Sequence, residues 1–271
     1  MPGASLTAVE DSVLLVQLTD SHLFAEADDN LLGMNTCDSL RQVVELAIDE
    51  QPRIDLLLAT GDLSQDGSVA SYQRFRRTVG PIRAQARWCP GNHDELSAMR
   101  EAAHGSSLME PVLDIGNWRV VMLDTLVAGS VFGMLRGDQL ELLERALSEA
   151  PDRHHLICLH HHPVSIGSRW MDAIGLRNSD ELFTVLDRHS NVRALLWGHI
   201  HQEFDQSRNG VRLLATPSTG VQFTPLSEDF QVDSAAPGYR WLRLHRDGQL
   251  DTGVSRVSGI EFEIDYTVKG Y

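Results

Sequence analysis

Five short polar clusters, each directly behind an apolar run, constrain this chain more than any other feature: Asp20-Ser21-His22, Gly61-Asp62, Gly91-Asn92-His93-Asp94, His160-His161-His162-Pro163 and Gly198-His199-Ile200-His201. A lone Asp-x-His arises wherever a strand ends in a polar loop. Gly-Asn alone is a turn signal, and Gly198 alone only permits a tight strand end. Five clusters in one order need a fold that carries several strand ends to a common rim. In open α/β sheets ligands bind outside the carboxyl ends of the strands, so the clusters predict one site built from five loops.

Between the clusters, short apolar runs alternate with amphipathic stretches. Strands are expected at Val13–Leu18, Ile54–Ala59, a run ending at Trp88, Trp118–Leu123, His155–Leu159 and Val192–Trp197. Helices are expected over Leu40–Ile48, Val69–Val79, a stretch after Asp94, Asp138–Leu147 behind Gly137, and Asp180–Leu186. Beyond Trp197 the period changes to two, which reads as strands at Gly210–Ala215 and Tyr239–His245 with Asp247-Gly248 as a hairpin turn. The pattern is α/β (α+β): two mixed β-sheets packed face to face and flanked by helices. With 271 residues, no internal repeat and no low-complexity tract, residues 1–271 are expected to form a single domain. No pattern places the polar and aromatic tail, Gly259 to Tyr271.

The formal net charge of -15 disfavours nucleic-acid polymers, whose binding rests on Lys and Arg neutralising phosphates. No apolar run approaches the roughly 20 residues of a spanning helix. Met1–Glu10 has neither the basic nor the apolar region of a signal peptide, so a cytoplasmic protein without membrane attachment is expected. Cys37, Cys89 and Cys158 stand at wide spacings without a Cys-x-x-Cys pair and read as reduced core residues.

Carboxylate, carboxamide and imidazole donors without thiolates suit borderline divalent ions such as iron, manganese or zinc, and not an all-oxygen calcium loop. The clusters offer at least seven ligand-type side chains, more than one tetrahedral zinc uses. Two metals are therefore expected, and a pair roughly 3.5–4 Å apart can clamp both the attacking and leaving oxygens of a phosphoryl transfer. One carboxylate then bridges, and Asp62 is the expected bridge. Two divalent ions outweigh two aspartates and a hydroxide, which leaves the site locally positive in an acidic protein. A small phosphate mono- or dianion is the expected guest.

The order Asp-x-His, Gly-Asp, Gly-Asn-His-Asp, His-x-Pro and Gly-His-x-His resembles the calcineurin-like metallophosphoesterase superfamily. Thr19 to Phe24, Ala59 to Asp66, Leu159 to Pro163, Leu196 to Glu203, Asn209 to Thr219 and Ala236 to Trp241 narrow the resemblance to the bacterial class III 3',5'-cyclic AMP phosphodiesterases, over nearly the whole chain. The resemblance implies a four-layer fold and a phosphoric diester hydrolase that lowers intracellular cyclic AMP. It implies one metal held by Asp20, His22, Asp62 and His201, and another held by Asp62, Asn92, His161 and His199. The ions would be iron(II) or manganese(II), with zinc or a mixed pair as alternatives. His161 is selected because the family ligand stands two positions before the proline; His160 and His162 then point elsewhere, as side chains alternate in an extended segment. His93 would act as the proton donor at the leaving oxygen, and His22, Asp62, Asn92, His93 and His201 would contact substrate. Asp66 and Asp94 are candidates for orienting the imidazoles. The implied reaction is attack of hydroxide held between the metals on the cyclic diester, giving 5'-AMP.

A phosphoprotein phosphatase of this superfamily carries arginine directly after the second aspartate of the Gly-Asp motif, whereas Gly67 follows Asp66 here. Other small-molecule phosphodiesters, such as 2',3'-cyclic nucleotides, nucleotide pyrophosphates or phospholipid head groups, remain the alternative substrates. A non-catalytic cyclic-nucleotide sensor is the alternative of another class. Trp170, Arg177 and Asn178 follow the His-Pro segment, where they could cover a nucleobase or simply plug the loop. His104, His154, His155, His189 and His245 stand outside the motifs.

Overall fold

The computed structural model describes residues 12–259 and 261–270; Met1–Glu10, for which no signal peptide is expected, lies outside them. Along the chain run β1 (Ser12–Leu18), a small hairpin of β2 (Asn30–Leu31) and β3 (Met34–Asn35), α1 (Thr36–Glu50), β4 (Leu56–Thr60), α2 (Val69–Val79), β5 (Gln85–Cys89) and α3 (Leu96–Ala102). The second half contains β6 (Val112–Ile115), β7 (Trp118–Met122), α4 (Gly137–Ser148), β8 (His154–Cys158), α5 (Arg169–Asp172), α6 (Ser179–Leu186) and β9 (Val192–Trp197). It closes with β10 (Phe204–Arg208), β11 (Val211–Ala215), a short pair β12 (Gln222–Phe223) and β13 (Val232–Asp233), then β14 (Gly238–His245) and β15 (Leu250–Arg256).

Two mixed sheets result, ordered β15-β14-β1-β4-β5 and β10-β11-β9-β8-β7-β6. The strands β1, β4 and β5 run parallel, as do β7, β8, β9 and β11, while β14, β15, β10 and β6 pair antiparallel. Side chains of a strand alternate between faces, and the alternation here sorts the core into layers. Leu15, Leu56, Leu58, Leu156, Cys158, Ala194 and Leu196 meet between the sheets. Val16, Leu18, Leu57 and Ala59 face outward under α1, α2 and α3, and Ile157, Leu195 and Trp197 face outward under α4 and α6. Both faces of the central strands are covered, which is why they read as continuous apolar runs.

Two buried polar side chains join the sheets near the rim. Gln17 Nε2 donates to Thr60 Oγ1 at 2.6 Å and across to Trp197 O at 3.1 Å, and its Oε1 accepts from Thr216 Oγ1. Arg240, buried on β14, donates to Ala215 O at 2.8 Å and Phe204 O at 3.3 Å. Helix α1 starts four residues earlier than the apolar spacing indicates because Asn35 caps it, accepting from the Asp38 N–H at 2.8 Å. Strand β10, absent from the sequence reading, is a polar edge strand. Its signal was the two-residue Asn209-Gly210 turn, both residues at positive φ (51° and 81°), which forces a hairpin with β11. Among the described residues no helix is long and apolar enough to cross a membrane.

Candidate active site

All five clusters lie on the loops that leave the carboxyl ends of β1, β4, β5, β8 and β9. Those loops are tied to one another: the N–H groups of Asp20, His22 and Leu23 donate to the carbonyls of Gly61, Asp62 and Leu63 at 2.9–3.0 Å, and the Gly198 N–H donates to His160 O at 3.2 Å. Asp20, His22, Asp62, His199 and His201 all have positive φ, between 44° and 68°. Left-handed backbone is unfavourable for residues with a Cβ, and its concentration on five predicted ligands marks strain held at a functional site. Close approach also explains two glycines. A Cβ at Gly91 would collide with Asp62 Oδ1, and one at Gly198 with Thr19 Oγ1 and Asp20 Oδ2.

One half of the site is formed by Asp20, His22 and His201, whose ligand atoms lie within 4.8 Å of one another. The His201 Nδ1–H donates to Val221 O at 2.7 Å, and His22 Nδ1 meets Gln65 Oε1 at 2.7 Å, so each ring leaves an Nε2 lone pair pointing inward. The two Nε2 atoms face each other at 3.3 Å, and Asp20 Oδ1 lies 3.4 Å from that of His201. Burial pushes His22 down to about 3, so its ring is neutral, and with Nδ1 donating to Gln65 its Nε2 is an acceptor. A buried cluster of converging acceptors fits a cation. Asp20 itself is fixed by the His199 N–H, which donates to its two oxygens at 3.0 and 3.1 Å.

The other half departs from expectation at the histidine run. His160 does not point elsewhere. Its Nδ1–H donates to Thr60 O at 2.8 Å, which turns Nε2 onto Asp62 Oδ2 and Asn92 Oδ1, both at 3.2 Å. His161 is held by Thr125 Oγ1 at its Nδ1 (2.7 Å), and its buried Nε2 has no hydrogen-bond partner. The rings of His160, His161 and His162 surround His199 at centroid distances of 5.0, 4.6 and 5.5 Å. Strand alternation fails because β8 ends at Cys158: the run has left the sheet, and its carbonyls are bonded by loop residues, Gly198 on His160 and Leu176 on His162. His199 Nε2 donates to Ile174 O at 3.1 Å, which leaves its Nδ1 for the site. The groups His160, His161, His199 and Asp20, Asp62, His160 each bring their ligand atoms within 4.8 Å.

Burial disfavours the charged form of His160, but Asp62 overrides it, and His160 is raised to about 9. Buried Asp62 is held well below the usual carboxylate range, His160 first among the groups that stabilise its charge. A metal that takes Nε2 must displace this proton. Apparent metal affinity of the stripped protein is therefore expected to rise about tenfold per pH unit up to about pH 9 and then level off. Competition against a chromophoric chelator across that range measures it, and a flat profile would contradict it.

Neither Asp66 nor Asp94 orients an imidazole. Asp66 accepts from the N–H groups of Ala25 (2.7 Å) and Ser68 (3.0 Å) and braces the loop before α2. Asp94 accepts from the N–H groups of Leu63 (3.1 Å), Ser64 (3.1 Å) and Gly91 (2.8 Å) and from the Tyr72 hydroxyl (3.0 Å), pinning the second cluster to the third. Burial and then the Asp62 charge push Asp94 up to about 7, against the donors of Gly91 and Ser64. Asp94→Ala would strand four donors, so a loss of roughly 3–5 kcal/mol of stability is expected, read from the urea midpoint. The imidazole orienters are Gln65, Thr125 and the carbonyls of Thr60, Ile174 and Val221, and none of them has a motif in the sequence.

Asp62, Asn92, His93 and His199 line a cavity of ≈ 260 Å³ whose other walls include Trp170, Met171, Ile174, Phe223 and Phe230. Its aromatic rings pack edge to face, with centroids 5.2–5.3 Å apart. Phe223 also stacks on His201 at 4.1 Å. His22 and His201 are buried behind this surface. His93 is half-buried: its N–H donates to Asp62 Oδ1 at 2.8 Å, its ring meets that of His22 edge-on, and it also borders an adjoining cleft of ≈ 770 Å³. Trp170 donates from Nε1 to Ser227 Oγ at 3.0 Å. Arg177 instead lies over the Phe132 ring, and Asn178 bridges both backbone groups of Leu135, so neither lines this cavity.

The model of the calcineurin-like phosphoesterase family matches residues 14–203. The chain is 60% identical, over 97% of both chains, to the 3',5'-cyclic adenosine monophosphate phosphodiesterase CpdA of Pseudomonas aeruginosa. It is 47% identical, again over 97% of both, to the enzyme of that name from Escherichia coli strain K12. Among solved structures, a dimetal phosphatase from Danio rerio superposes with a TM-score of 0.61 at 15% identity, covering 92% of this chain and 100% of that one.

Proposed function

Because the chain belongs to the calcineurin-like phosphoesterase family, we propose that it hydrolyses 3',5'-cyclic AMP to 5'-AMP at a two-metal centre and so lowers cyclic AMP in the cytoplasm. The observation that carries this reading is the 60% identity, over 97% of both chains, to a 3',5'-cyclic AMP phosphodiesterase. The site adds two supports: buried carboxylate and imidazole groups that converge within ligand distance of one another, and an apolar, aromatic cavity beside them able to take a nucleobase. Residues 1–271 act as one catalytic domain.

Asp20, His22, Asp62 and His201 hold one ion, and Asp62, Asn92, His199 and a histidine of the run hold the other, with Asp62 shared. His160 takes that last position in place of His161, because its Nε2 is the one aimed at both Asp62 and Asn92. Iron(II) or manganese(II) suits this donor set, with zinc or a mixed pair as the alternative. When bound, the ions supply Lewis acidity and activate water near neutral pH.

The residues do the remaining work. Trp170, Phe223 and Phe230 take the base and exclude water from it. Asn92 and His93, which line the cavity beside Asp62, contact the phosphate. In the reaction a water releases one proton to solvent, its oxygen bonds to phosphorus as the bond from phosphorus to O3' breaks, and O3' gains a proton, the donor recovering its own from solvent. His93 supplies that proton: the Asp62 bond to its backbone fixes its position, and its ring stands where two cavities meet.

The test is hydrolysis by metal-stripped protein reloaded with iron or manganese. Substrates are 3',5'-cyclic AMP, 2',3'-cyclic AMP and bis(p-nitrophenyl) phosphate, with products identified. Release of 5'-AMP, fastest from the 3',5' substrate and dependent on metal, is expected. Turnover of the generic diester without turnover of 3',5'-cyclic AMP would overturn the substrate and leave the site.

A further inference from the structure

The carboxyl-terminal stretch carries no motif, yet it follows a defined course. Phe262 packs on the core under α1 to α3, and with Ile264 it covers the small cluster of Met34, Val221 and Val232. The Asp265 N–H donates to Leu32 O at 2.7 Å on the turn between β2 and β3. Asp265 Oδ1 then accepts from both the N–H (2.9 Å) and the hydroxyl (2.6 Å) of Thr267, which closes a turn. Beyond this turn Lys269 and Gly270 line the same ≈ 260 Å³ cavity as Asp62, Asn92 and His93.

Lys269 is the single lysine among 23 basic residues, in a chain with 38 acidic ones. Among the described residues it is the only Lys or Arg that lines this cavity. It is exposed and makes no ion pair among the described residues. The walls beside it are apolar and aromatic, so the cavity offers one mobile cation together with a stacking surface. That combination matches an anion with an aromatic part. An acidic protein slows the approach of anions, and a cation at the mouth of the cavity offsets this locally. An ammonium on a flexible four-carbon stem can follow a phosphate as it enters.

We propose that Lys269 is a substrate-binding residue, carried by the docked carboxyl-terminal segment to the cavity, where its ammonium pairs with the phosphate of the incoming nucleotide. This rests on the reading of the site as a phosphodiesterase centre. The test has two parts. In steady-state kinetics at low salt, Lys269→Met raises KM for 3',5'-cyclic AMP about fivefold with kcat within about twofold, Lys269→Arg restores most of the loss, and the difference shrinks as salt is added.

The second part uses the fact that no other lysine is present. Reductive methylation with isotopically labelled formaldehyde marks one side chain besides the amino terminus, and the signal lost in Lys269→Met identifies it. In zinc-loaded protein, which is diamagnetic, that signal shifts on adding 5'-AMP or inorganic phosphate and stays still with adenosine. An unmoved signal at 5'-AMP concentrations that inhibit turnover, or an unchanged KM in Lys269→Met, overturns the proposal. Failure of the cyclic-nucleotide reading is seen separately, as absence of 5'-AMP among the products, and the inorganic phosphate arm still decides the role of Lys269.

Discussion

Asp62→Ala is expected to lose both metal ions and to reduce turnover on the order of a thousandfold or more, since even partners that only orient metal ligands are worth 10–100-fold in affinity or activity. Asp62 reaches both halves of the site. Its Oδ2 lies 3.2 Å from His160 Nε2 and 3.9 Å from His22 Nε2, and its Oδ1 accepts from the His93 N–H. Removing it separates the two acceptor clusters and frees the loop that carries His93. His93→Ala is the contrast: it keeps both metals and loses roughly 10²–10⁴-fold in kcat, the range of a single proton-transfer group. Metal analysis beside kinetics separates the two outcomes, and loss of metal in His93→Ala would end the division of roles.

His160→Ala is expected to lower metal content and activity at least about 100-fold, while His161→Ala retains two ions and loses far less. The expectation rests on where each Nε2 points relative to Asp62 and Asn92. Thr60 O fixes His160 so that Nε2 meets Asp62 and Asn92, whereas Thr125 holds the His161 ring against Gly133. Burial and the neighbouring His160 push His161 well below its usual range, so its ring stays neutral beside His199. Inductively coupled plasma analysis of both variants, with circular dichroism to verify folding, decides the matter. Full metal in His160→Ala and loss in His161→Ala would restore the assignment by distance from the proline.

Much of the fold was legible because the central strands are covered on both faces, so that burial wrote near-continuous apolar runs such as residues 56–59 and 194–197 into the chain. Elements that bury little left little trace. The edge strand β10 carries Asp205, Gln206 and Ser207 facing solvent, and only the Asn209-Gly210 turn betrayed it. The tail from 261 to 270 packs through Phe262 and Ile264 in an irregular path with no period to detect.

By itself the sequence determined the composition of the site, because metal ligation demands particular atoms, and Asp, Asn and His at strand ends can be recognised without coordinates. It also determined that those atoms meet, since strands of one orientation end at one rim. What only the tertiary structure decided is orientation. Which ring of the three-histidine run faces Asp62, that Asp66 and Asp94 brace loops instead of imidazoles, and that Gln65, Thr125 and three carbonyls set the rings all depend on distant segments. Lys269 depends on them in the same way, reaching the cavity only because Asp265 is bonded to Leu32. A ligand's identity is a property of one residue, whereas its direction is set by hydrogen bonds to partners tens to hundreds of positions away, for which a single sequence has no local signal.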